Sequence, residues 1–328
     1  MRVATYNAGL AVGVLPNATA RLPLVIDALA ALDLDLLFVQ EFWLEPHWER
    51  LRTALEPKLP HAFRPAPIAP PARACREADV RPFVDCAITH CDGLRDEPLA
   101  RCVVSHCATV GLSLPGPCVS CLAAHPVGTI DEIVARCLGE ESPEATASGL
   151  MAYGGSFGTG LLAREPLEDR DVLVYESTVN ARSALHARAF GLHVFATHLS
   201  PGGAEHAPQV DRLLAWIDEK ARGEPSILLG DLNTTPGSSL FARILRAGFR
   251  DDAVSRATYT HDGLSTGRAS ESGWKLDHVL VRGVDRPVRA ERILDAPVTI
   301  AVQTDKGPRR VATTLSDHFG VLATVDLW

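Results

Sequence analysis

Polar side chains able to bind cations or move protons stand directly after short strand-like runs of this sequence. They are the acids, amides and histidines of six separate segments, namely Asn7, Glu41, His198, Asp231 with Asn233, Asp277, and Asp317 with His318. A polar group that follows a buried strand lies at the edge of a sheet, where several strands converge on one pocket. We therefore expect these residues to form one polar site, although they are far apart along the chain.

This set of side chains suits phosphoryl transfer. Mg²⁺ prefers hard oxygen ligands such as carboxylates and amides. The reaction also needs an oriented water and a protonated leaving oxygen, which histidines and carboxylates can provide. Each segment is weak evidence by itself, because Asp277-His278 or Gly230-Asp231-Leu232-Asn233 taken alone is more often an ordinary turn. The prediction therefore depends on the order and spacing of the segments together.

Apolar periodicity predicts the elements that hold these residues. The chain opens with strands over 3–7 and 36–40 and an amphipathic helix over 22–32 between them. Further helices are predicted over 206–222 and 238–247, the second capped by Ser238. The other strand-like runs are 159–163, 172–175, 183–190, 192–197, 226–230, 276–282, 289–294 and 321–327. This mixture predicts an α/β fold, a four-layer sandwich of two packed mixed sheets flanked by helices.

The chain is expected to form a single catalytic domain over residues 1–328 that is interrupted by a Cys-rich, mainly helical insertion over 72–140. A length of 328 residues slightly exceeds the ~250–300 residues at which one core stops growing, and an insertion accounts for the excess. A Pro-rich stretch, 57–71, is predicted to be the linker that leads into the insertion.

All eight cysteines lie between Cys75 and Cys137, and many are 16 residues apart, as in a quasi-repeat. Within one short helix, Cys86 and Cys91 would be about 140° apart around the axis, so their sulfurs would meet different neighbours. This favours sequential bridges, namely Cys75–Cys86, Cys91–Cys102, Cys107–Cys118 and Cys121–Cys137. Two alternatives stay open: a metal site that uses His90, His106 and His125, and an insertion whose cysteines are reduced and buried.

The net charge of −8 argues against tight non-specific adhesion to nucleic acid, because such binding depends on neutralising phosphates. No apolar run reaches the ~20 residues of a membrane-spanning helix, and the first residues do not resemble a signal peptide. The sequence as written therefore predicts a protein that is not exported. Bridged cysteines would instead indicate an extracytoplasmic mature form, so the compartment stays open.

Three motifs in this order, Gln40-Glu41, Gly230-Asp231-Leu232-Asn233 and Ser316-Asp317-His318, resemble those of the endonuclease/exonuclease/phosphatase superfamily. Deoxyribonucleases, abasic-site endonucleases, sphingomyelinases and inositol polyphosphate 5-phosphatases are among its members. The resemblance covers nearly the whole chain outside residues 57–150. It implies a metal-dependent phosphoester hydrolase.

The resemblance also implies a metal site and a histidine held by a carboxylate. Glu41 would be the principal ligand of Mg²⁺, with Mn²⁺ as a possible substitute, and Asn7 and Asp317 would complete the site. His318 would be the general base or polarise the phosphate. Asp277 would fix the tautomer of His318 by a hydrogen bond.

The other residues of the resemblance are expected to act on water and phosphate. Asp231 would orient or deprotonate the attacking water, or hold a second metal. Asn233 would donate a hydrogen bond to a phosphate oxygen, and His198 would be the general acid or bind a non-bridging oxygen. Arg182 stands before a predicted strand, where similar proteins place a substrate-contacting group, so it is a candidate phosphate clamp. An exposed arginine without such a role is an equal alternative.

The resemblance favours the deoxyribonuclease and sphingomyelinase branch, since abasic-site endonucleases generally lack a histidine where this chain has His198. Gln40-Glu41-Phe42-Trp43 looks like sphingomyelinases, so we expect a phosphodiesterase that acts on a phospholipid headgroup by in-line attack of an activated water. The segment 197–201 looks like deoxyribonucleases, which keeps a Mg²⁺-dependent endonuclease or exonuclease as an alternative. A soluble sugar or nucleotide phosphoester and a catalytically silent binding module are further alternatives. The expected partner is thus a phosphoester substrate, in membrane lipid or in nucleic acid.

Overall fold

The structure is a computed structural model that describes residues 1–68, 73–139, 152–177, 179–251, 254–268, 272–284, 289–304 and 307–326. Its strands are β1 (Arg2–Asn7), β2 (Leu36–Gln40), β3 (His61–Phe63), β4 (Gly160–Ala163), β5 (Glu168–Val174), β6 (Ser183–Ala189), β7 (Leu192–His198), β8 (Ser226–Asp231), β9 (Asp277–Arg282), β10 (Arg289–Ile293), β11 (Val298–Thr304), β12 (Gly307–Thr313) and β13 (Gly320–Thr324). Its helices are α1 (Ala18–Ala31), α2 (Glu45–Leu55), α3 (Glu77–Cys91), α4 (Asp96–His106), α5 (Ala108–Leu112), α6 (Gly116–Ala124), α7 (Ile130–Cys137), α8 (Gly203–Ala221), α9 (Ser239–Arg246) and α10 (Gly263–Thr266). None of the described helices is both long and apolar enough to cross a bilayer.

The strands form two large mixed sheets and a separate hairpin. The first sheet has the order β10-β13-β1-β2-β4-β3, the second has the order β5-β6-β7-β8-β9, and β11 pairs with β12. Strands β1 and β2 are parallel, as are β7 and β8, and the other pairs are antiparallel. The two mixed sheets that the sequence predicted are confirmed.

Three apolar cores separate the layers of the sandwich. One core lies between the first sheet and helices α1 and α2, the second lies between the two sheets, and the third lies between the second sheet and helices α8 and α9. Strand β2 contributes to two of them, because Leu36 and Phe38 face the other sheet while Leu37 and Val39 face α1 and α2. A strand buried on both faces requires a continuous apolar run, which is what its sequence contains. The four-layer sandwich is therefore confirmed.

The remaining predicted elements agree with the structure to within a few residues, but the linker is a partial exception. Residues 61–63 of the predicted linker form β3, which pairs with β4 at the edge of the first sheet. A strand this short has no periodicity of its own, and it forms because β4 offers an unpaired edge. The end of the linker (69–71) and the end of the last predicted strand (327) lie outside the described residues. Helix α2 and the β11–β12 hairpin were not predicted.

Helices α3 to α7, which we call the disulfide-bonded insertion, lie between β3 and β4. Four bonds hold it: Cys75–Cys118, Cys86–Cys107, Cys91–Cys102 and Cys121–Cys137. The first three pairs are nested. Helix α3 carries both Cys86 and Cys91, and α4 runs back along it. The outer bond, Cys75–Cys118, joins the segment before α3 to α6. The predicted ends of the insertion, residues 72 and 140, lie outside the described residues.

The nested pairing corrects the sequence prediction in part. Cys91–Cys102 and Cys121–Cys137 are confirmed, whereas the predicted bonds Cys75–Cys86 and Cys107–Cys118 are wrong. The prediction assumed a row of short helices, each bonded to the next, but a helical hairpin brings its outer cysteines together as well as its inner ones. No cysteine is free, so the alternatives of a zinc site and a reduced insertion are also wrong.

Candidate active site

Parallel strands bring the first polar residues to one edge of the sandwich. In the first sheet Asn7 pairs with Gln40, and Glu41 follows directly. In the second sheet His198 pairs with Asp231 at the ends of β7 and β8. Because parallel strands end on the same side of a sheet, each pair of neighbouring strands places its last side chains together. The packing of the two sheets then joins both pairs in one cleft.

The C-terminal residues reach this cleft from the opposite strand direction. Asp277 is the first residue of β9, and His318 precedes β13. The expectation that each polar segment ends a strand is therefore wrong for these two segments. Strands β9 and β13 run antiparallel to β8 and β1, so their beginnings lie beside the ends of those strands, and Asp277 pairs with Asp231.

Asp231 lies at the centre of the cluster. Its Oδ2 atom is 3.1 Å from Asn7 Nδ2, 3.3 Å from His198 Nε2 and 3.8 Å from His318 Nε2. Burial works to raise the pKa of this carboxyl, but the nearby His318 and His198 hold it well below its usual range. Asp231 is therefore a carboxylate that two histidines and an amide surround.

Gly230 explains why the central acid follows a glycine. Its φ is 140°, and a Cβ at this position would collide with the backbone carbonyl of Thr197 on the neighbouring strand. Only glycine allows β7 and β8 to approach this closely beside Asp231.

His318 is held by Asp277. His318 Nδ1 lies 2.9 Å from Asp277 Oδ2, and the backbone amides of Leu276 and Asp277 both donate to Thr258 Oγ1 at 3.0 Å. Burial alone would lower the pKa of His318, but the carboxylates of Asp277 and Asp231 raise it to about 10. Since Nδ1 is engaged by Asp277, Nε2 is the ring nitrogen that faces the cleft.

His198 has the opposite environment. Burial, followed by the charge of Arg182, lowers the pKa of His198 to about 4, and the hydrogen bond to Asp231 opposes this only in part. Its ring lies 6.5 Å from that of Trp43. The two histidines that contact Asp231 are thus driven toward different protonation states by different neighbours.

Glu41 and Asp317 direct carboxylates into the cleft from the first sheet. Glu41 has a φ of 62°, a conformation unusual for a non-glycine residue that turns the chain sharply after β2. Asn7 Nδ2 donates to Glu41 Oε1 at 3.3 Å, while Asn7 Oδ1 accepts from the Gly9 amide at 3.1 Å. A Cβ at Gly9 would lie 2.6 Å from Asp317 Oδ1, so glycine leaves the space that this carboxylate occupies.

Arg182 and Asn233 complete the cleft, which has a volume of about 500 Å³. The Arg182 side chain is buried, its Nη1 has no hydrogen-bond partner among the described residues, and its guanidinium lies 5.9 Å from the centre of the Trp43 ring. Burial lowers the pKa of Arg182. Asn233 donates through Nδ2 to the carbonyl of Leu199 at 2.8 Å. A buried guanidinium that lines a polar cleft and has no hydrogen bond at Nη1 can bind an anion there.

The comparison with protein families shows the family of the chain. The model of the endonuclease/exonuclease/phosphatase family matches residues 4–318. The chain belongs to the endonuclease/exonuclease/phosphatase family. This family comprises metal-dependent phosphoester hydrolases, and every residue expected from the resemblance lies in or beside the same cleft.

Solved structures share the fold of this family member. A sphingomyelinase C from Streptomyces griseocarneus matches with a TM-score of 0.58 at 17% identity, covering 99% of each chain. A beta toxin from Staphylococcus aureus with bound magnesium ions matches at 0.57 and 12% identity, again over 99% of each chain. A mannosyl-6-phosphatase from Bacteroides thetaiotaomicron matches at 0.56 and 14% identity over 99% of each chain. At these identities the likeness establishes the fold. A search of curated proteins by sequence finds no match.

The side chains of this family member fit a divalent cation at Glu41 and Asp317. Burial, and then the charge of Asp317, raise the pKa of the Glu41 carboxyl. Two carboxylates that repel each other in an enclosed place are relieved by a cation, and oxygen ligands are those that Mg²⁺ prefers. A second group, Asp231 with Asp277 and His318, has ligand atoms within 4.8 Å of one another. Asp277 Oδ1 has no hydrogen-bond partner among the described residues.

Aromatic residues of the cleft were missed by the sequence analysis. The ring of Tyr259 lies 4.9 Å from that of His318 and stacks on Trp274 at 6.0 Å. Both line the cleft, and Trp274 is 52% exposed at its rim. They stand in irregular segments, where an aromatic residue has no spacing that marks it as part of a site. His278 shows the converse: it follows Asp277 in sequence but is buried away from the cleft, with Nε2 3.0 Å from the carbonyl of Thr234.

Proposed function

We propose that this protein is a magnesium-dependent phosphodiesterase that hydrolyses phospholipid headgroups, as sphingomyelinases and phospholipases C do. The observation that carries the proposal is the union, in one cleft, of the paired carboxylates Glu41 and Asp317 with the histidine–carboxylate cluster around Asp231. One part suits a divalent cation and the other suits proton movement.

Glu41 and Asp317 would hold the cation, with Asn7 as the neighbouring ligand. When bound, a divalent cation supplies charge neutralisation for the phosphate and for the leaving oxygen. Asn7 has a second task in this arrangement, because its amide nitrogen contacts both Glu41 and Asp231. It thereby connects a carboxylate of the first sheet to one of the second.

The cluster around Asp231 would carry the proton movements. Asp231 orients the attacking water and accepts a hydrogen bond from it. His318, whose Nδ1 is engaged by Asp277, presents Nε2 to a phosphate oxygen. His198, which contacts Asp231 through Nε2 and which burial drives toward its neutral form, binds a non-bridging phosphate oxygen. In the overall step a bond forms from the water oxygen to phosphorus while the water gives up a proton to the cluster. The bond from phosphorus to the lipid alcohol breaks, and the alcohol oxygen takes up a proton from the cluster.

Arg182 and Asn233 would hold the phosphate during this step. The guanidinium of Arg182 is buried beside the acids without a hydrogen-bond partner at Nη1, so an anionic phosphate would satisfy it. Asn233 has its side-chain amide turned toward the carbonyl of Leu199 and lines the cleft beside Thr234. Both residues bind the phosphodiester in the ground state and in the transition state.

The preference for lipid over nucleic acid is supported by charge and surface. The net charge of −8 disfavours a polyanion such as DNA. Large apolar side chains are exposed around the insertion, among them Val104 and Leu112, which are 51% and 68% exposed. The fold alone does not choose the substrate, since it is shared with a sphingomyelinase C and with a mannosyl-6-phosphatase.

A hydrolysis panel tests the proposal. The purified protein is given sphingomyelin vesicles, plasmid DNA or mannose 6-phosphate, each with Mg²⁺ and again with excess chelator. We expect phosphocholine release from the vesicles that stops with chelator and returns with added Mg²⁺. Cleavage of DNA or of the sugar phosphate in place of lipid would contradict the proposed phospholipid substrate. Absence of any phosphoester hydrolysis would instead support a silent binding module.

We also propose that the protein works in an oxidising compartment. Its four disulfide bonds lie in a small helical unit with few other buried residues, and such bonds persist where thiols are not kept reduced. Thiol labelling of the protein taken from its native cells, with and without a reductant, measures this. Labelling of the cysteines without a reductant would contradict the proposal.

A further inference from the structure

A second cleft, which we call the apolar groove, lies between the disulfide-bonded insertion and the core of the fold. Its volume is about 530 Å³. The insertion forms one wall through Phe83, Leu99, Val103, Leu122 and Ile133. Segment 11–15, which follows β1, forms the other wall together with Trp43 and Tyr153. Apart from a few polar groups at its ends, the groove is lined by hydrocarbon.

Contacts between the two walls define the width of the groove. The carboxylate of Glu97, in α4, accepts hydrogen bonds from the backbone amides of Ala18 and Thr19 at the start of α1, both at 2.9 Å. Gly13 lies so close to α4 that a Cβ at this position would be 2.7 Å from the Cβ of Ala100. The groove is therefore a built feature of the packed insertion.

The groove opens to solvent along an apolar mouth. Val14, Val104, Leu112 and Val179 line it and are 65%, 51%, 68% and 53% exposed. Exposed apolar side chains gathered around one cleft indicate an apolar ligand or surface. A hydrocarbon chain entering from a lipid layer would meet these residues first.

The inner end of the groove meets the candidate active site. Glu41 and Asp317 line both the groove and the polar cleft. Trp43 stands between the two, because its ring stacks on Tyr153 at 5.3 Å on the groove side and lies 6.5 Å from His198 on the polar side. A molecule with a phosphoester at Glu41 can therefore extend an apolar part into the groove and a polar part into the cleft.

We infer that the apolar groove binds one hydrocarbon chain of the substrate during hydrolysis. The inference rests on the proposed function, because it places the cleaved phosphate at Glu41 and Asp317. The chain belongs to the leaving alcohol: when the bond from phosphorus to its oxygen breaks, that oxygen takes up a proton and the headgroup phosphate stays in the polar cleft. The disulfide-bonded insertion is thus the part of the molecule that selects a lipid over a soluble phosphoester.

Binding of single-chain alkylphosphonocholines tests the inference without turnover. In these probes a P–C bond replaces the P–O bond that would be cleaved, so the protein can be used with Mg²⁺ present. Calorimetry measures the affinity for a series from butyl to decyl, each below its critical micelle concentration. We expect the affinity to rise about fourfold for each added CH₂ until the groove is full, because that is the effect of burying one methylene.

Gly111→Phe supplies a variant that fills the groove. A Cβ at Gly111, in α5, would lie 3.5 Å from the ring of Phe83, an ordinary contact, so the helix accepts a side chain there. Thr109→Phe is the matched control, because Thr109 is exposed on the same helix and does not line the groove. We expect Gly111→Phe to lower the affinity for the longest probes about tenfold or more and to leave the affinity for the shortest probes unchanged. The control should bind like the parent protein, and equal melting temperatures show that both variants fold.

Two results would contradict the inference that the groove binds a hydrocarbon chain. One is an affinity in the parent protein that does not change with chain length, which would assign the groove to an occupant other than a hydrocarbon chain. The other is a chain-length dependence that Gly111→Phe leaves intact. If the protein hydrolyses sphingomyelin and gives either result, the inference about the groove is wrong and the proposed function stands. If binding depends on chain length but the protein hydrolyses no phosphoester, the groove still binds hydrocarbon chains and the proposed function is wrong.

Discussion

The polar cleft and the apolar groove meet at Glu41 and Asp317 but are built in different ways. The side chains of the cleft stand at strand ends of two large sheets, which their own apolar cores hold in place. The outer wall of the groove consists of helices around a small core, joined by disulfide bonds. A unit of this size cannot bury enough apolar surface to fold alone, so covalent bonds supplement its core. The polar cleft thus belongs to the two sheets, whereas the outer wall of the apolar groove belongs to an added unit.

Replacing His318 by Ala should give the largest effect and should act on the cleft alone. We expect kcat to fall by about 10²–10⁴-fold, the usual contribution of a positioned acid or base. The loss should be equal for sphingomyelin vesicles and for a soluble aryl phosphodiester, because both need the same chemistry. His90→Ala, an exposed histidine of the insertion, is the control and should change neither rate. Activity that survives His318→Ala would exclude this ring from the reaction.

Replacing Arg182 by Met should show that this residue serves the substrate and not the fold. Loss of a charge-assisted hydrogen bond of about 1.5–3 kcal/mol would lower kcat/KM about 10-fold to 100-fold. The melting temperature should hold, since the desolvation of the buried guanidinium offsets its attraction to Glu41 and Asp231. Arg243→Met removes a surface ion pair with Asp211 and should change little. A fall in melting temperature with unchanged kcat/KM would show that Arg182 is structural.

Reduction of the disulfide bonds should affect the apolar groove and the polar cleft differently. Each bond contributes about 2–5 kcal/mol to a small unit of this kind, so reduction should unfold the insertion and leave the sheets intact. We expect hydrolysis of lipid vesicles to fall about tenfold or more, the effect of losing the contacts of about two methylenes. Hydrolysis of the soluble diester should persist. An equal loss on both substrates, measured under the same reductant, would show that the insertion supports the cleft as well as the groove.

Replacing Glu97 by Gln should have the smallest effect, at the junction of the two regions. The Glu97 carboxylate accepts from two amides of the first turn of α1, and weakening such a cap costs about 1 kcal/mol. We expect the free energy of unfolding in urea to fall by that amount, with hydrolysis of the soluble diester unchanged. Glu77→Gln breaks an exposed pair with Arg81 and serves as the control. A larger fall in the free energy of unfolding for Glu77→Gln than for Glu97→Gln would contradict the role of Glu97 at this junction.

Much of the cleft was predictable because it depends on local patterns. Strand β2 has the predicted ends, and Ser238 caps α9 by accepting from the Phe241 amide. The polar residues of the cleft were predicted because each stands next to a short apolar run, whether the strand ends or begins there. The direction of the strand was not predictable for Asp277 and His318, since an apolar run looks the same from either end.

Pairings between distant segments were not predictable. The bond Cys86–Cys107 follows from the way α4 folds back on α3, and Cys75–Cys118 joins the segment before α3 to α6. The periodicity of the sequence predicts neither arrangement. Tyr259 and Trp274 reach His318 through irregular chain that carries no periodic signal. The same is true of β3, which exists only because β4 offers it an edge.

The sequence by itself determined the fold class, the polar residues of the cleft and the family motifs, because each is written in residues that are neighbours along the chain. Only the tertiary structure decided that Glu41 and Asp317 lie where a polar cleft meets an apolar groove. It also decided that the insertion forms the outer wall of that groove. Burial against a distant segment is a property of the packed chain, since apolar side chains are attracted to any partner and the packing selects which one they meet.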